Sequence, residues 1–213
     1  KPLGVSLESS LETPFFLMAL TTELESVNQM LGHVGEAPVN SLADTAALPI
    51  SASTALTTLR EVSKEVQTEE WHFNTVTDYE PIKEDTGKLR LPDETLFADA
   101  VDKTVDVVQR GVYLYDRKNQ TSVFSATLKV DLTVQLGWDE LVEVARRYIT
   151  LRASRIFQGR VVGSAELQSL IAIDEMQARA RLLELDAQSS DRTIFDSEDV
   201  ARRIGVHRNY NIY

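Results

Sequence analysis

The sequence contains no cysteine among its 213 residues. Disulfide bonds and thiolate metal sites are therefore excluded, and the chain can fold in either redox compartment. Long apolar runs are also missing: the nearest candidate, residues 15–20, is far shorter than the ~20 residues needed to cross a bilayer. That run lacks a basic flank and a small-residue cleavage site, so we expect neither a membrane span nor a signal peptide.

Basic residues are in short supply. The chain has 22 Lys and Arg against 33 Asp and Glu, which gives a net charge of −11. A surface that binds DNA tightly needs clustered Lys and Arg to release counterions, so this balance argues against tight DNA binding. An acidic surface would instead repel DNA, which suits a protein past which DNA must slide.

The clearest pattern lies in the C-terminal third of the chain. Apolar residues recur at steps of three and four in residues 138–158 and 164–186, which predicts two helices that each bury one face. Gly159 and Gly163 close the connection between them, as in an antiparallel helical hairpin. The positions assigned to the buried faces are Trp138, Leu141, Val142, Ala145, Tyr148, Ile149, Ala153, Ile156, Phe157, Leu167, Leu170, Ile171, Ala178, Leu182 and Leu185.

Two further helices are predicted between residues 22 and 70. Thr22 and Glu25 have the spacing of a capping box at the start of the first, and Gly35 suits its end. The second runs from residue 51 or 53 to residue 70, and Trp71 and Phe73 are expected to close the end of the bundle. The inner face of this second helix is assigned to Ala52, Ala55, Leu56, Leu59, Val62 and Val66.

From residue 74 the apolar period changes to two. Leu89 and Leu91 alternate with charged residues before Pro92, which predicts a short strand. Residues 105–115 indicate another strand, residues 116–121 a polar hairpin turn, and residues 123–136 a half-buried antiparallel strand. These segments together predict a small antiparallel sheet inserted between two helix pairs.

The predicted fold class is mainly α with a β insertion (α+β): a four-helix bundle, a small antiparallel sheet module and an extended C-terminal tail. The tail is polar with scattered apolar residues, which is typical of a segment that docks on a partner. The division is an arm at 1–21, a first helix pair at 22–73, the β insertion at 74–137, a second helix pair at 138–188 and the docking tail at 189–213.

No chemistry stands out along the chain. His33, His72 and His207 lie in unrelated segments without a metal-ligand spacing, no glycine loop would cradle a phosphate, and we expect no cofactor. Acidic pairs are numerous, but none is singled out as the acid and base of a hydrolase. A cell-wall or polysaccharide hydrolase and a regulatory binding module of the host stay open as alternatives to a structural role.

Several segments resemble the tail tubular protein A family, the head-to-tail adaptors of short-tailed phages. Their order and spacing carry the resemblance, and residues 1–17 form an extension beyond it. The segments are TELESVNQML with GEAPVNSL (22–31 and 35–42), EWHFNT (70–75), GKLRLP (87–92), YLYDR (113–117), RASRIFQGRVVGS (152–164) and IFD (194–196).

This resemblance implies a non-enzymatic virion protein at the head–tail junction. It implies a dodecameric ring between the portal protein and the nozzle protein (tail tubular protein B), with double-stranded DNA passing through without specific binding and no membrane contact. In such a ring the C-terminal segment embraces the portal and the β region faces the nozzle.

Three sets of contact residues follow from that arrangement. Portal binding is assigned to Ile194, Phe195, Val200, Ile204, Tyr210, Ile212 and Tyr213, and nozzle binding to Tyr113, Tyr115, Arg117, Lys118 and Asn119. The basic stretch with Arg146, Arg147, Arg152 and Arg155 is assigned to ion pairs within or between subunits, in preference to DNA contact.

Overall fold

The helical pattern of the sequence produces four helices in a computed structural model that describes residues 20–189. They are α1 (Glu23–His33), α2 (Ile50–Gln67), α3 (Glu143–Val161) and α4 (Ala165–Ser189). Helix α3 lies at the centre, since α1, α2 and α4 all pack against it. The predicted α+β class is confirmed, whereas the predicted tail lies outside the described residues.

Helix α1 begins and ends where its capping residues predict. The Thr22 hydroxyl accepts the N–H of Glu25 at 3.1 Å, and the Glu25 carboxylate accepts the N–H of Thr22 at 2.7 Å, so the predicted capping box is present. Gly35 adopts a φ of +77°, the left-handed conformation that glycine tolerates after a helix end. Local sequence therefore sets both ends of this helix.

The predicted inner face of α2 is buried at every position named above, and Trp71 closes the bundle as expected. Its indole N–H donates to the carbonyl of Val66 at 2.7 Å, and its ring stacks with that of Phe73. The helix ends at Gln67, earlier than predicted, because Glu70 takes a φ of +59° and turns the chain.

The hairpin of α3 and α4 differs from its prediction at both ends. Trp138–Glu140 forms a 3-10 turn, and Leu141 and Val142 are extended, so α3 begins at Glu143 rather than at residue 138. At the other end α3 continues to Val161, which shortens the predicted five-residue connection. Leu167 and Leu170, assigned to the buried face, are exposed because α4 packs mainly on α3.

Two sheets, instead of one, occupy the segment between the helix pairs. The strands are β1 (Thr75–Tyr79), β2 (Ile82–Lys83), β3 (Leu89–Arg90), β4 (Thr95–Ala100), β5 (Val107–Arg110), β6 (Tyr113–Asp116) and β7 (Val130–Val134). One antiparallel sheet has the order β1-β7-β4 and the other the order β2-β3-β6-β5. They share a core that includes Leu89, Leu91, Leu114, Val130 and Leu132.

Two strand predictions were wrong in extent. Residues 105–115 form the β5–β6 hairpin rather than one strand, because Gly111 takes a φ of +64° and reverses the chain. The predicted strand over 123–136 is regular only at Val130–Val134, where it is the central strand of its sheet.

Buried amides join the two cores. The Gln67 side chain, fully buried at the end of α2, accepts the N–H of Leu136 at 2.7 Å and donates to its carbonyl at 3.2 Å. Asn74 donates to the carbonyls of Gln67 and Val134 at 2.7 and 3.1 Å. These bonds fix the β region to the end of the bundle where α2 finishes and α3 begins.

Candidate interaction surfaces

Arg146, predicted at a subunit interface, lies inside its own chain with 2% of its surface exposed. Its guanidinium donates to the backbone carbonyls of Leu141, Thr21 and Asp139 at 2.8–2.9 Å. These bonds hold the non-helical turn before α3, which explains why the helix starts late. The group is therefore engaged within the chain.

Arg152 and Arg155 lie side by side on α3 and share one acid of α4. Glu175, 8% exposed, accepts from Arg152 at 3.3 Å and from two nitrogens of Arg155. Arg152 also donates to Glu65 of α2 at 2.7 Å, and this bond is the main cause that raises the pKa of Arg152. The intrachain half of the predicted ion pairing is thus present.

Arg147 is the exposed member of the predicted set. It lines a hollow of about 260 Å³ between α3 and α4, together with Glu143, Asp174 and Arg181. Two acids and two arginines thus face this hollow, so its charge is balanced.

The predicted nozzle-binding residues cluster on β6 and the turn that follows it. The Tyr113 hydroxyl donates to Glu84 at 3.0 Å, a bond that raises the pKa of the phenol. The guanidinium of Arg110 stacks on the ring of Tyr115, 3.4 Å from its centroid. Both tyrosines are half-buried and already have partners within the sheet.

The turn itself is fixed by one carboxylate. Asp116 accepts the backbone N–H and the side-chain amide of Asn119, both at 2.8 Å, and the backbone bond is the main cause that lowers the pKa of Asp116. Arg117 reaches Asp106 at 3.4 Å, while Lys118 and Asn119 are exposed at the tip. The structure therefore presents the tip of this turn on a rigid base.

The predicted portal-binding residues lie outside the described residues. They are Ile194, Phe195, Val200, Ile204, Tyr210, Ile212 and Tyr213, all beyond Ser189.

Sequence reasoning missed an exposed apolar face of α4. Its members are Ile173, Met176, Ala180 and Leu183, which we call the outer stripe. Ile173, Met176 and Leu183 are 50%, 68% and 49% exposed, and the stripe faces roughly away from the buried Ile171, Ala178 and Leu182. Their spacing of three, four and three residues was the available signal, since it is the spacing of a helix–helix seam.

Titratable groups give no sign of a catalytic centre between residues 20 and 189. The carboxyl groups with shifted pKa there, Glu25, Asp102 and Asp116, all have lowered values because backbone and side-chain donors bind their charged forms. Burial lowers the pKa of His33, against an opposing effect of Asp174.

The same part of the chain shows neither a metal-ligand cluster nor a membrane-spanning helix. Within it, no three His, Cys, Asp or Glu side chains converge as a metal site would require. None of its helices combines the length and the hydropathy of a membrane span.

Comparison with known proteins identifies a family. The family model for tail tubular protein (Tube) matches residues 24–192, which include nearly all of α1, both sheets and the whole of α2, α3 and α4. No curated protein matches the chain.

Proposed function

The chain belongs to the tail tubular protein family, and on that basis we propose that it is the subunit of a ring joining a phage portal to the tail nozzle. Membership makes it a structural component of a phage tail. The match over residues 24–192 carries the proposal, because it takes in both the helical bundle and the β region. Three properties in this proposal can be tested by experiment: binding to the portal, binding to the nozzle protein and assembly into a ring.

Chain size supports an assembly of copies. A compact domain of this length has a radius of gyration of roughly 17 Å, so one copy cannot enclose a channel for a DNA duplex. A wall around such a channel needs several subunits, and heterologous contacts between identical subunits close into rings. The net charge of −11 favours passage of DNA through the channel without tight binding.

We assign two separate segments of the subunit to two partners. The C-terminal tail, with Phe195, Tyr210 and Tyr213 as aromatic anchors, would bind the portal. The exposed tip at Lys118 and Asn119 would contact the nozzle protein. Each tail need bind only weakly, because a ring of tails gains affinity through effective concentration.

Deleting residues 190–213 tests this assignment. We expect the truncated protein to keep its circular dichroism spectrum and unfolding midpoint, since all described core residues precede the deletion. Pull-down by the portal protein should be lost. A K118A/N119A variant is the matched control and should bind the portal at the wild-type level. Unchanged portal binding by the truncated protein would contradict the assignment.

The mass of the complex tests the ring. Light scattering or native mass spectrometry of the chain mixed with the portal should show one chain added for each portal subunit. No association at any salt concentration would remove the adaptor proposal. A reducing-sugar assay of the purified chain would then address the hydrolase alternative, which no contact among residues 20–189 favours.

A further inference from the structure

Helix α4 is apolar on two sides but, within residues 20–189, packs mainly on one neighbour, α3. Ile171, Ala178 and Leu182 point into the bundle, where α3 is the main neighbour. The outer stripe of Ile173, Met176, Ala180 and Leu183 faces roughly the opposite way. A contiguous exposed apolar face is typical of an interaction surface, so this second face indicates a further neighbour.

The shape around the outer stripe suits a helical partner. A hollow of about 260 Å³ beside Arg147 flanks α4 on one side, and a hollow of about 280 Å³ beside Tyr148 flanks it on the other. Helix α4 is therefore a ridge between two grooves. Ridges that fit into grooves are how helices pack, and the three–four spacing matches the knobs of such a seam.

We propose that the outer stripe packs against the helical bundle of a second copy of this chain. The inference rests on the proposed ring and identifies the surface through which neighbouring subunits touch. The contact is heterologous, the ridge of one copy meeting a different surface of the next, because that geometry closes a ring.

Charge favours a second copy as the occupant. Copies that each carry −11 repel, so they can approach only through surfaces whose charges are balanced. Both grooves meet that condition. Arg147 and Arg181 face Glu143 and Asp174 on one side. On the other side, Arg152, Arg155 and Arg179 are paired with Glu65, Glu175 and Glu69.

Size is also consistent with a subunit contact. From Ile173 to Leu183 the helix rises by roughly 15 Å, and with a diameter of roughly 10 Å the ridge is about one fifth of the ~800 Å² that each partner buries in a stable interface. The two flanking grooves supply further surface. The stripe is then the dry centre of the contact and the ion pairs form its rim.

The first test is sedimentation velocity of the full-length chain over a wide range of concentrations, alone and with the portal. An I173E/M176E variant places two carboxylates in the stripe and should weaken self-association by at least about tenfold. I82E is the matched control, because Ile82 is 66% exposed but lies on β2. It should associate like the wild type, and all three proteins should share one unfolding midpoint.

The outcomes separate the two proposals. If I173E/M176E forms the wild-type oligomer, the stripe is not the contact, although the ring stands. If the wild-type chain stays monomeric under every condition, the ring and this inference both fail.

A second test identifies the occupant. Because the chain has no cysteine, A180C carries the only thiol, which can be joined to a photoreactive maleimide. Isotopically labelled and unlabelled copies are mixed, cross-linked and mapped by mass spectrometry, with A126C in an exposed segment as control. We expect cross-links between labelled and unlabelled helices. Cross-links only to residues 1–19 or 190–213 of the same copy, or only to the portal, would overturn the inference.

Discussion

Glu175 is the shared acceptor of two arginines, and replacing it by glutamine tests how much that arrangement stabilises the fold. Its carboxylate lies between α3 and α4 and binds Arg152 and Arg155. The E175Q side chain keeps its size and shape but loses its charge. Two guanidinium groups then lie side by side without their common counter-charge, which is the unfavourable state that a broken buried pair leaves behind.

The expected loss follows from how exposed the three groups are. Breaking a fully buried ion pair costs about 3–5 kcal/mol. The side chains of Arg152 and Arg155 are 23% and 33% exposed, so water partly solvates them after the substitution. Arg152 also keeps Glu65. We therefore expect E175Q to lower the free energy of unfolding by about 2 kcal/mol, a loss between that of a broken surface ion pair and that of a broken buried one.

Urea unfolding followed by circular dichroism at neutral pH measures this loss. E184Q is the matched control, because it breaks the exposed ion pair between Glu184 and Arg181, whose two side chains are 52% and 75% exposed, respectively. It should lower the free energy of unfolding by less than about 0.5 kcal/mol. A cycle with R155M should give a coupling energy of about 1 kcal/mol. An E175Q loss no larger than that of E184Q would refute the structural role of the pair.

Four further substitutions test separate parts of the structure by urea unfolding of the monomer. L182A should lower the free energy of unfolding by about 3 kcal/mol, because Leu182 is fully buried. L183A, on the exposed side of α4, should change it by less than about 0.5 kcal/mol. Equal losses in the two variants would contradict the orientation of α4. G87A should cost about 1–3 kcal/mol, since Gly87 has a φ of +79° and a Cβ there would lie 2.8 Å from Val123; an unchanged midpoint would contradict the turn geometry. Folding lowers the pKa of Asp116, so its contribution to the free energy of unfolding is present above its unfolded pKa and is lost as the pH falls through its folded pKa. The D116N variant should therefore be less stable than the wild type at neutral pH. Its stability should also fall less steeply than that of the wild type below about pH 4.

Much of the bundle could be predicted from local sequence because its signals are short-range. The Thr22–Glu25 cap involves residues of one turn, and the inner face of α2 follows from a regular apolar period. Both features depend on backbone geometry that neighbouring residues determine by themselves. The prediction of these elements was therefore confirmed.

The start of α3 and the course of the β region depend on contacts between distant residues. The turn before α3 is held by Arg146, whose guanidinium donates to the carbonyl of Thr21, 125 residues earlier in the sequence. The β5–β6 hairpin turns at Gly111, inside a run whose alternation looks like one continuous strand. A period in the sequence shows which residues share a face, but it does not show where a long-range partner interrupts the element.

Helix α4 shows that helical spacing alone does not identify which apolar residues are buried. Leu167 and Leu170 were assigned to the buried face because they lie at helical spacing with the other apolar residues of α4. The structure leaves both exposed, together with the outer stripe, because α4 is the last layer of the bundle and packs mainly on α3. Apolar residues on two sides of a helix suit two different neighbours, and residues 20–189 supply mainly the first. On the proposed contact with a second copy, the second set serves assembly rather than folding, so substitutions there should change association while leaving the unfolding midpoint of the monomer unchanged.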